Sequence, residues 1–236
     1  MLFDVRDGVG WVTLNRPEAL NAYNMRMRDE LYEVLTAIRD DSDIRVMVLR
    51  GSGRAFCAGA DLTEFGTAPS PTTGRLIRFA RDNWALLREL SVPTIAALHG
   101  YVLGSGLEMA LLCDLRLAAD DVQMGLPEAG LGLIPAAGGT QTLSRLCGPG
   151  VALDLMLSGR RVAADEAVSL GLVSRVVPRG ELDGEARGLA RQLAGLDARA
   201  VSSIKRAVYE GLDMPLDQGL RLESDLAAEL RDREPR

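Results

Sequence analysis

Histidine and lysine are almost absent from this 236-residue chain, because each occurs once, as His99 and Lys205. One histidine cannot supply the cluster of imidazole ligands that is common in zinc sites. The single lysine lies outside any G-x-x-x-x-G-K-[ST] sequence, which excludes a P-loop phosphate site. His99 could act as a lone catalytic base, but a packed histidine at the end of a strand is the favoured interpretation.

Cysteines, basic residues and long apolar runs are also scarce. The three cysteines are widely spaced, which indicates neither a disulfide framework nor a CxxC zinc site and fits a reducing cytoplasm. Acidic residues outnumber basic ones by 33 to 27. Nucleic-acid binding requires a basic face, so no nucleic-acid partner is expected. No apolar run is long enough to span a bilayer and the N-terminus is not a signal peptide, so no membrane partner is expected either.

The hydrophobic pattern predicts strands alternating with helices up to about residue 140. Two β-rich runs, 2–6 and 9–15, flank Asp7-Gly8, which is typical of a β-hairpin. A helix of about four turns is expected after Asn24, which has the residue type of an N-cap. The further predicted strands lie at 44–49, 94–98, 115–119, 122–126 and 173–177. The further predicted helices lie at 73–90, 107–113, 138–147, 149–158, 164–170, 181–195, 198–211 and 215–231.

Two loops rich in small residues each lead from a predicted strand towards a predicted helix. In the first, 54–62, a helix is expected to begin near Asp61, and its free N–H groups would favour an anion. A tight connection that merely packs small residues is equally compatible with this loop. In the second, 99–108, Ser105 and Glu108 match the capping box [ST]-x-x-E. The spacing alone therefore favours a Glu108 side chain that folds back onto the Ser105 N–H.

A third loop, 126–139, places Glu128 among apolar residues and glycines with almost no other charge nearby. A carboxyl group that is desolvated there would have a raised pKa, which suits proton transfer. An exposed glutamate in a turn is the commoner alternative. The proline- and glycine-rich stretch 66–73 predicts a surface loop, and a substrate-gating role for it stays open.

In this order, the three loops resemble those of the enoyl-CoA hydratase/isomerase (crotonase) superfamily. The matching segments are TLNRPEALNA at 13–22, AFCAGADL at 55–62, 100–108, 127–140 and 158–173, so the resemblance spans almost the whole chain. It implies an α/β fold, namely a crotonase-type spiral of ββα units over 1–195. A helical C-terminal trimerisation section, apparently shortened, would follow over 196–236 and form a homotrimer or a dimer of trimers.

The resemblance also implies roles for four residues, and it replaces the capping-box interpretation of Glu108. The backbone N–H groups of Ala60 and Ser105 would form an oxyanion hole for the thioester carbonyl of an acyl-CoA. Glu108 and Glu128 correspond to the paired glutamates of the hydratases in the family. They would activate one water molecule for addition across the double bond of a 2-enoyl-CoA.

CoA would lie against Ala22, Ala58, Asp61 and Leu62, mostly through backbone contacts. It is part of the substrate, so neither a separate cofactor nor a metal is implied. Two alternatives to hydration stay open at this point. One is another reaction on the same oxyanion hole, such as double-bond isomerisation, lyase chemistry or hydrolysis. The other is a weakly active scaffolding homologue, suggested by the shortened C-terminal section.

Overall fold

Two β-sheets organise the protein, whose computed structural model describes residues 1–70, 72–73 and 80–231. In chain order the strands are Leu2–Arg6 (β1), Val9–Leu14 (β2), Val46–Gly51 (β3), Thr94–Leu98 (β4), Tyr101–Leu103 (β5), Leu115–Ala119 (β6), Gln123–Gly125 (β7), Val162–Ala163 (β8) and Arg175–Val177 (β9). The larger sheet has the order β1-β2-β3-β4-β6-β9, and the smaller has the order β5-β7-β8. In the larger sheet only the β1–β2 pair is antiparallel.

Helices follow most strands and dominate the second half of the chain. Within the described ranges they are Met25–Asp40 (α1), Asn83–Glu89 (α2), Ser105–Leu112 (α3), Gly139–Cys147 (α4), Pro149–Ser158 (α5), Ala164–Ser169 (α6), Leu182–Ala194 (α7), Ala198–Leu212 (α8) and Leu216–Arg231 (α9). Short 3-10 turns occur at Pro17–Ala19, Leu62–Glu64, Glu128–Leu131 and Arg179–Glu181. In this part of the chain no helix has the length and apolar character needed to cross a membrane.

The predicted hairpin is confirmed at the edge of the larger sheet. Strand β1 pairs with β2, and Asp7 and Gly8 form the connection with φ values of 53° and 72°. Positive φ at both central residues is the requirement of the tight turn that matches the twist of two antiparallel strands. Strand β2 then pairs in parallel with β3, so the hairpin extends a parallel core.

The larger sheet buries both faces, as parallel sheets usually do. Successive side chains of a strand point to opposite faces. In β3, Met47 and Leu49 therefore join the cluster that contains Leu35 of α1, whereas Val46 and Val48 join a second cluster with residues of α7. The sheet is thus covered by α1 on one face and by α7 on the other, and its loops emerge at the ends of the strands.

Most predicted helices are confirmed, but two begin or end differently. The helix expected near Asp61 is a single 3-10 turn, because Phe65 is extended and Gly66 has a positive φ of 74°. The helix expected over 73–90 is present as α2 from Asn83, where the Asp82 side chain accepts from Ala85 N at 3.0 Å. Residues 80–82 are not helical, and residues 74–79 of the predicted helix lie outside the described residues. Strands β5, with three residues, and β8, with two, were not predicted.

An ion pair whose two side chains are only 13% and 14% exposed attaches helix α8 to the core. Lys205 of α8 lies with Nζ 2.8 Å from Asp114 Oδ2 and donates to Val92 O at 2.9 Å. Tyr209 OH donates to Asp114 Oδ1 at 2.8 Å, and Thr94 N donates to Asp114 Oδ2 at 2.7 Å. Asp114 follows Cys113, the C-cap of α3, and thus joins α8 to the helix that bears Glu108. The predicted boundary at residue 195 falls just before α8 and stays a prediction.

We predict that Asp114→Ala destabilises the fold by about 3 kcal/mol, because it removes the counter-charge of the part-buried Lys205 and the acceptor of Thr94 N and Tyr209 OH. Denaturation in urea measures the effect. The matched control is Asp217→Ala, which breaks an exposed pair with Arg221 and should leave stability unchanged within error. Equal effects of the two substitutions would show that α8 is not anchored through Asp114.

Candidate active site

Two loops meet at a pair of glycines beyond the ends of β3 and β4. The first loop follows β5 closely, since Cys57 N donates to Tyr101 O at 3.1 Å and Leu103 N donates to Cys57 O at 3.0 Å. A Cβ on Gly104 would lie 3.6 Å from Gly59 Cα. Both glycines have a positive φ, 112° at Gly59 and 50° at Gly104, which favours glycine at these positions. The residues that follow these glycines, the predicted oxyanion donors, are thereby brought to neighbouring positions.

Ala60 presents a backbone N–H that is free to bind a ligand. The C=O of Gly59 accepts from Tyr23 N at 2.8 Å. This C=O and the Ala60 N–H belong to one planar trans peptide group, so the N–H points in the opposite direction. Ala60 is half-buried, and among the described residues no acceptor lies within hydrogen-bonding distance of its N–H.

Ser105 presents a second free N–H at the start of α3. Gly104 has φ 50° and ψ −125°, a conformation that favours glycine, and its C=O accepts from Glu108 N at 2.9 Å. The Ser105 N–H belongs to the same peptide group as this C=O and therefore points out of the helix. It lacks an acceptor within the described part of the chain. The positive end of the helix dipole adds to its attraction for a developing oxyanion.

Glu108 does not form the capping box that the Ser105–Glu108 spacing suggested. The N-cap of α3 is Gly104, without a side-chain hydrogen bond. Glu108 Oε1 instead accepts from Ala137 N at 2.8 Å and from Gly139 N at 3.0 Å. Two N–H groups at the start of α4 thus hold this carboxylate, which is 2% exposed. Such hydrogen bonds stabilise the ionised form of a buried carboxyl group.

Glu128 is the second carboxyl group of the site, and its environment differs from that of Glu108, which accepts two backbone hydrogen bonds. It begins a 3-10 turn after β7 and is half-buried, which contradicts the exposed-turn interpretation. Its Oε2 is buried and has no hydrogen-bond partner in the described ranges. Its Oε1 would lie 2.9 Å from a Cβ on Gly104. Burial raises the pKa of Glu128, and the nearby charge of Glu108 raises it further.

The positions predicted to contact CoA lie on two adjacent loops: Ala22, Ala58, Asp61 and Leu62. Leu62 is 56% exposed. The Asp61 carboxylate accepts from Thr63 N at 3.0 Å and from Thr63 Oγ1 at 2.7 Å, and it also pairs with Arg16. The bonds from Thr63 and then from Arg16 lower the pKa of Asp61 to about 2. Its side chain therefore shapes the loop, and contact of CoA with the four positions stays a prediction.

Sequence reasoning missed the groups that hold Glu108. The N–H donors of Ala137 and Gly139 lie about thirty positions further along the chain, with no local spacing that links them to Glu108. The one available signal was Gly138-Gly139, because a Cβ on Gly139 would lie 3.0 Å from Glu108 Oε1 and 2.8 Å from Pro135 Cβ. A glycine at 139 is therefore a steric requirement of the site.

His99 lies apart from the two glutamates and is packed, as the favoured interpretation predicted. It is 2% exposed, and its Nε2 lies 3.2 Å from Gly53 O. Burial lowers the pKa of His99, which favours the neutral ring. Among the described residues, no group of three or more His, Cys, Asp or Glu side chains is placed to hold a metal ion.

Comparison with known proteins identifies relatives along the whole chain. The sequence profile of the family described as enoyl-CoA hydratase/isomerase matches residues 4–235. A probable enoyl-CoA hydratase of Mycobacterium bovis is 42% identical over 218 residues, which are 92% of this chain and 84% of that protein. The (E)-benzylidenesuccinyl-CoA hydratase of Thauera aromatica is 39% identical over 236 residues, covering 99% and 91% of the two chains.

The fold has equally similar solved structures. The enoyl-CoA hydratase from Bacillus anthracis superposes with a TM-score of 0.93 at 35% sequence identity, covering 99% of this chain and 91% of that one. A structure from Geobacillus kaustophilus gives a TM-score of 0.89 at 38% identity, covering 100% and 96%. The predicted crotonase-type α/β fold is thereby confirmed.

We predict that Glu128 titrates above the ordinary range of a glutamate and that Glu108→Gln lowers its pKa. The substitution removes a negative charge that disfavours ionisation of Glu128, while the glutamine Oε1 can still accept from the loop N–H groups. Carboxyl ¹³C NMR measures the titration, and a Glu128→Gln spectrum assigns the resonance. An unchanged Glu128 titration in Glu108→Gln would contradict the electrostatic coupling of the two groups.

Proposed function

This chain belongs to the enoyl-CoA hydratase/isomerase family, and on that basis we propose that it is an enoyl-CoA hydratase that adds water across the double bond of a 2-enoyl-CoA. One observation carries the proposal: two carboxyl groups of opposite environment lie beside two free N–H donors. An acid, a base and an oxyanion site are the three elements that conjugate addition of water to a thioester requires. The proposal includes no cofactor beyond the CoA that the substrate contains.

The N–H groups of Ala60 and Ser105 would bind the thioester carbonyl oxygen. As water adds, electrons move onto this oxygen and an enolate forms. The donors are oriented before the reaction by hydrogen bonds on their own peptide groups, so little reorganisation accompanies the developing charge. Removing one such donor in other enzymes costs about 3 kcal/mol in the barrier.

The two glutamates would divide the proton transfers. Glu108, ionised and held by two N–H groups, accepts a proton from water as the water oxygen bonds to the β-carbon. Glu128, whose pKa is raised by burial, would donate a proton to the α-carbon of the enolate. The product gains one hydroxyl and one hydrogen, and the proton on Glu108 must return to Glu128 before the next turnover. Carboxyl groups whose pKa values are set apart by environment suit such paired roles.

We also propose that the protein assembles as a homotrimer or a dimer of trimers in the cytoplasm. The support is a set of large apolar side chains on α5, α8 and α9 that are more than half exposed: Leu153, Leu157, Ile204, Leu212, Leu216 and Leu220. Patches of this kind on a soluble chain mark interaction surfaces. A second copy of this chain is the occupant that the proposal assigns to them.

Light scattering after gel filtration tests the assembly, and a mass of three or six times 25.4 kDa is expected. The double substitution Leu216→Glu and Leu220→Glu should shift the protein to smaller species, because it places charges in an apolar interface. Leu2→Glu on the exposed strand β1 is the control and should leave the mass unchanged. A monomeric wild type would overturn this part of the proposal.

The reaction is tested with crotonyl-CoA by following the loss of its conjugated enoyl-thioester absorbance. We expect rapid loss with the wild type and a decrease in kcat of about 10²- to 10⁴-fold in Glu108→Gln and in Glu128→Gln. Glu210→Gln, an exposed glutamate on α8, is the matched control and should keep wild-type activity.

Three other outcomes of the crotonyl-CoA assay would count against hydration or favour one of the alternatives to it. Binding of CoA esters without loss of absorbance would overturn hydration of crotonyl-CoA. Double-bond migration that survives in Glu128→Gln would indicate an isomerase that relies on a single base. Absence of both binding and turnover would favour a scaffolding homologue.

A further inference from the structure

The backbone of Tyr23 forms hydrogen bonds with the two peptide groups that flank Ala60. Its N–H donates to Gly59 O at 2.8 Å, and its C=O accepts from Asp61 N at 2.9 Å. The two strands of backbone form an isolated parallel bridge at Tyr23 and Ala60. Because the Ala60 N–H shares a rigid peptide plane with the Gly59 C=O, the position of Tyr23 sets the direction of the Ala60 N–H.

The side chain of Tyr23 is in turn held by α1 and α2. Asn83, the first residue of α2, donates from Nδ2 to Tyr23 OH at 2.7 Å and to Arg28 O at 2.8 Å. Asn83 is 1% exposed. The Tyr23 ring packs against Trp84, with centroids 5.5 Å apart and planes inclined at 48°. A continuous set of contacts thus runs from α2 through Tyr23 to Ala60.

The Tyr23 hydroxyl stays neutral over the pH range of ordinary assays. Burial raises its pKa to about 12, and the hydrogen bond from Asn83 only partly offsets this effect. The neutral hydroxyl can therefore accept the hydrogen bond from Asn83 over this pH range. Asn83 Oδ1 is itself buried without a donor in the described ranges, so the amide orientation is fixed by the two bonds from Nδ2.

We propose that Tyr23 is a positioning residue of the reaction, through which Asn83 aligns the Ala60 N–H with the thioester oxygen. The inference rests on the proposed use of Ala60 as an oxyanion donor. Tyr23 acts through the backbone of Gly59–Asp61 and transfers no proton. Loss of a mere packing contact lowers stability, whereas loss of alignment weakens an interaction that strengthens in the transition state.

The test removes only the hydroxyl, with Tyr23→Phe. We expect kcat to fall about tenfold with KM within about twofold, less than the 10²- to 10³-fold cost of losing an oxyanion donor outright. Asn83→Ala should have a similar effect. The double variant should be no slower than the slower single variant, because both substitutions break the same Asn83–Tyr23 hydrogen bond. Tyr32→Phe on α1, a tyrosine beneath Arg81, is the matched control and should keep wild-type kcat.

A spectroscopic measurement separates alignment from stability. Infrared difference spectra of bound butyryl-CoA, which lacks a double bond, report hydrogen bonding to the thioester carbonyl. We expect its frequency to be lowered in the wild type and in Tyr32→Phe, and to move towards the free value in Tyr23→Phe. Wild-type kcat and carbonyl frequency in Tyr23→Phe would overturn the inference, even if the variant unfolds more easily.

The failure of this inference differs from the failure of the hydratase proposal. A wild type that lowers the butyryl-CoA carbonyl frequency but hydrates no enoyl-CoA would overturn hydration and leave the role of Tyr23 intact. A wild type that binds butyryl-CoA without lowering the frequency would overturn Ala60 as a donor and the role of Tyr23 with it.

Discussion

The direction of two peptide N–H bonds is the constraint on which the rest of this structure depends. A backbone N–H cannot be aimed by choosing a rotamer, so its direction must come from what binds the C=O of the same peptide group. Tyr23 N binds the Gly59 C=O, and Glu108 N binds the Gly104 C=O. Strands β3 and β4 are parallel neighbours, so the loops that follow them leave the same edge of the sheet, where ligands of α/β proteins usually bind.

Backbone donors make the site tolerant of side chains at some positions and intolerant at others. Ser105 can contribute its N–H whatever its side chain, as Ala60 does. The neighbouring glycines have no such freedom, because a Cβ on Gly106 would lie 2.4 Å from Cys57 O and one on Gly104 would meet the Glu128 carboxylate. The geometry of the site therefore depends more on the glycines than on the side chains of the two donor residues. The two glutamates differ from each other in their hydrogen bonds.

The sequence predicted the periodic elements well and the tertiary contacts poorly. The hairpin and the long amphipathic helices α7, α8 and α9 were found to within a few residues, because their patterns are local. The Ser105–Glu108 capping box was also a local pattern, and it was wrong because the N–H groups of Ala137 and Gly139 bind Glu108 instead. The residue pattern indicated the three loops and Glu128, whereas the oxyanion donors and the roles of the two glutamates came from the resemblance and stay predictions. The hydrogen bond between Asn83 and Tyr23 links positions 60 residues apart, and no local pattern in the sequence predicts it.

The attachment of α8 through Lys205 has a practical consequence for observing the protein. Lys205 carries the only side-chain amine, and its side chain is 13% exposed and engaged by Asp114 and the Val92 carbonyl. Acylating reagents require an amine that is both accessible and unprotonated, so they reach this nitrogen only when α8 has left the core. The chain thus contains one side-chain amine that serves as a native probe, and its rate of labelling reports how often helix α8 opens.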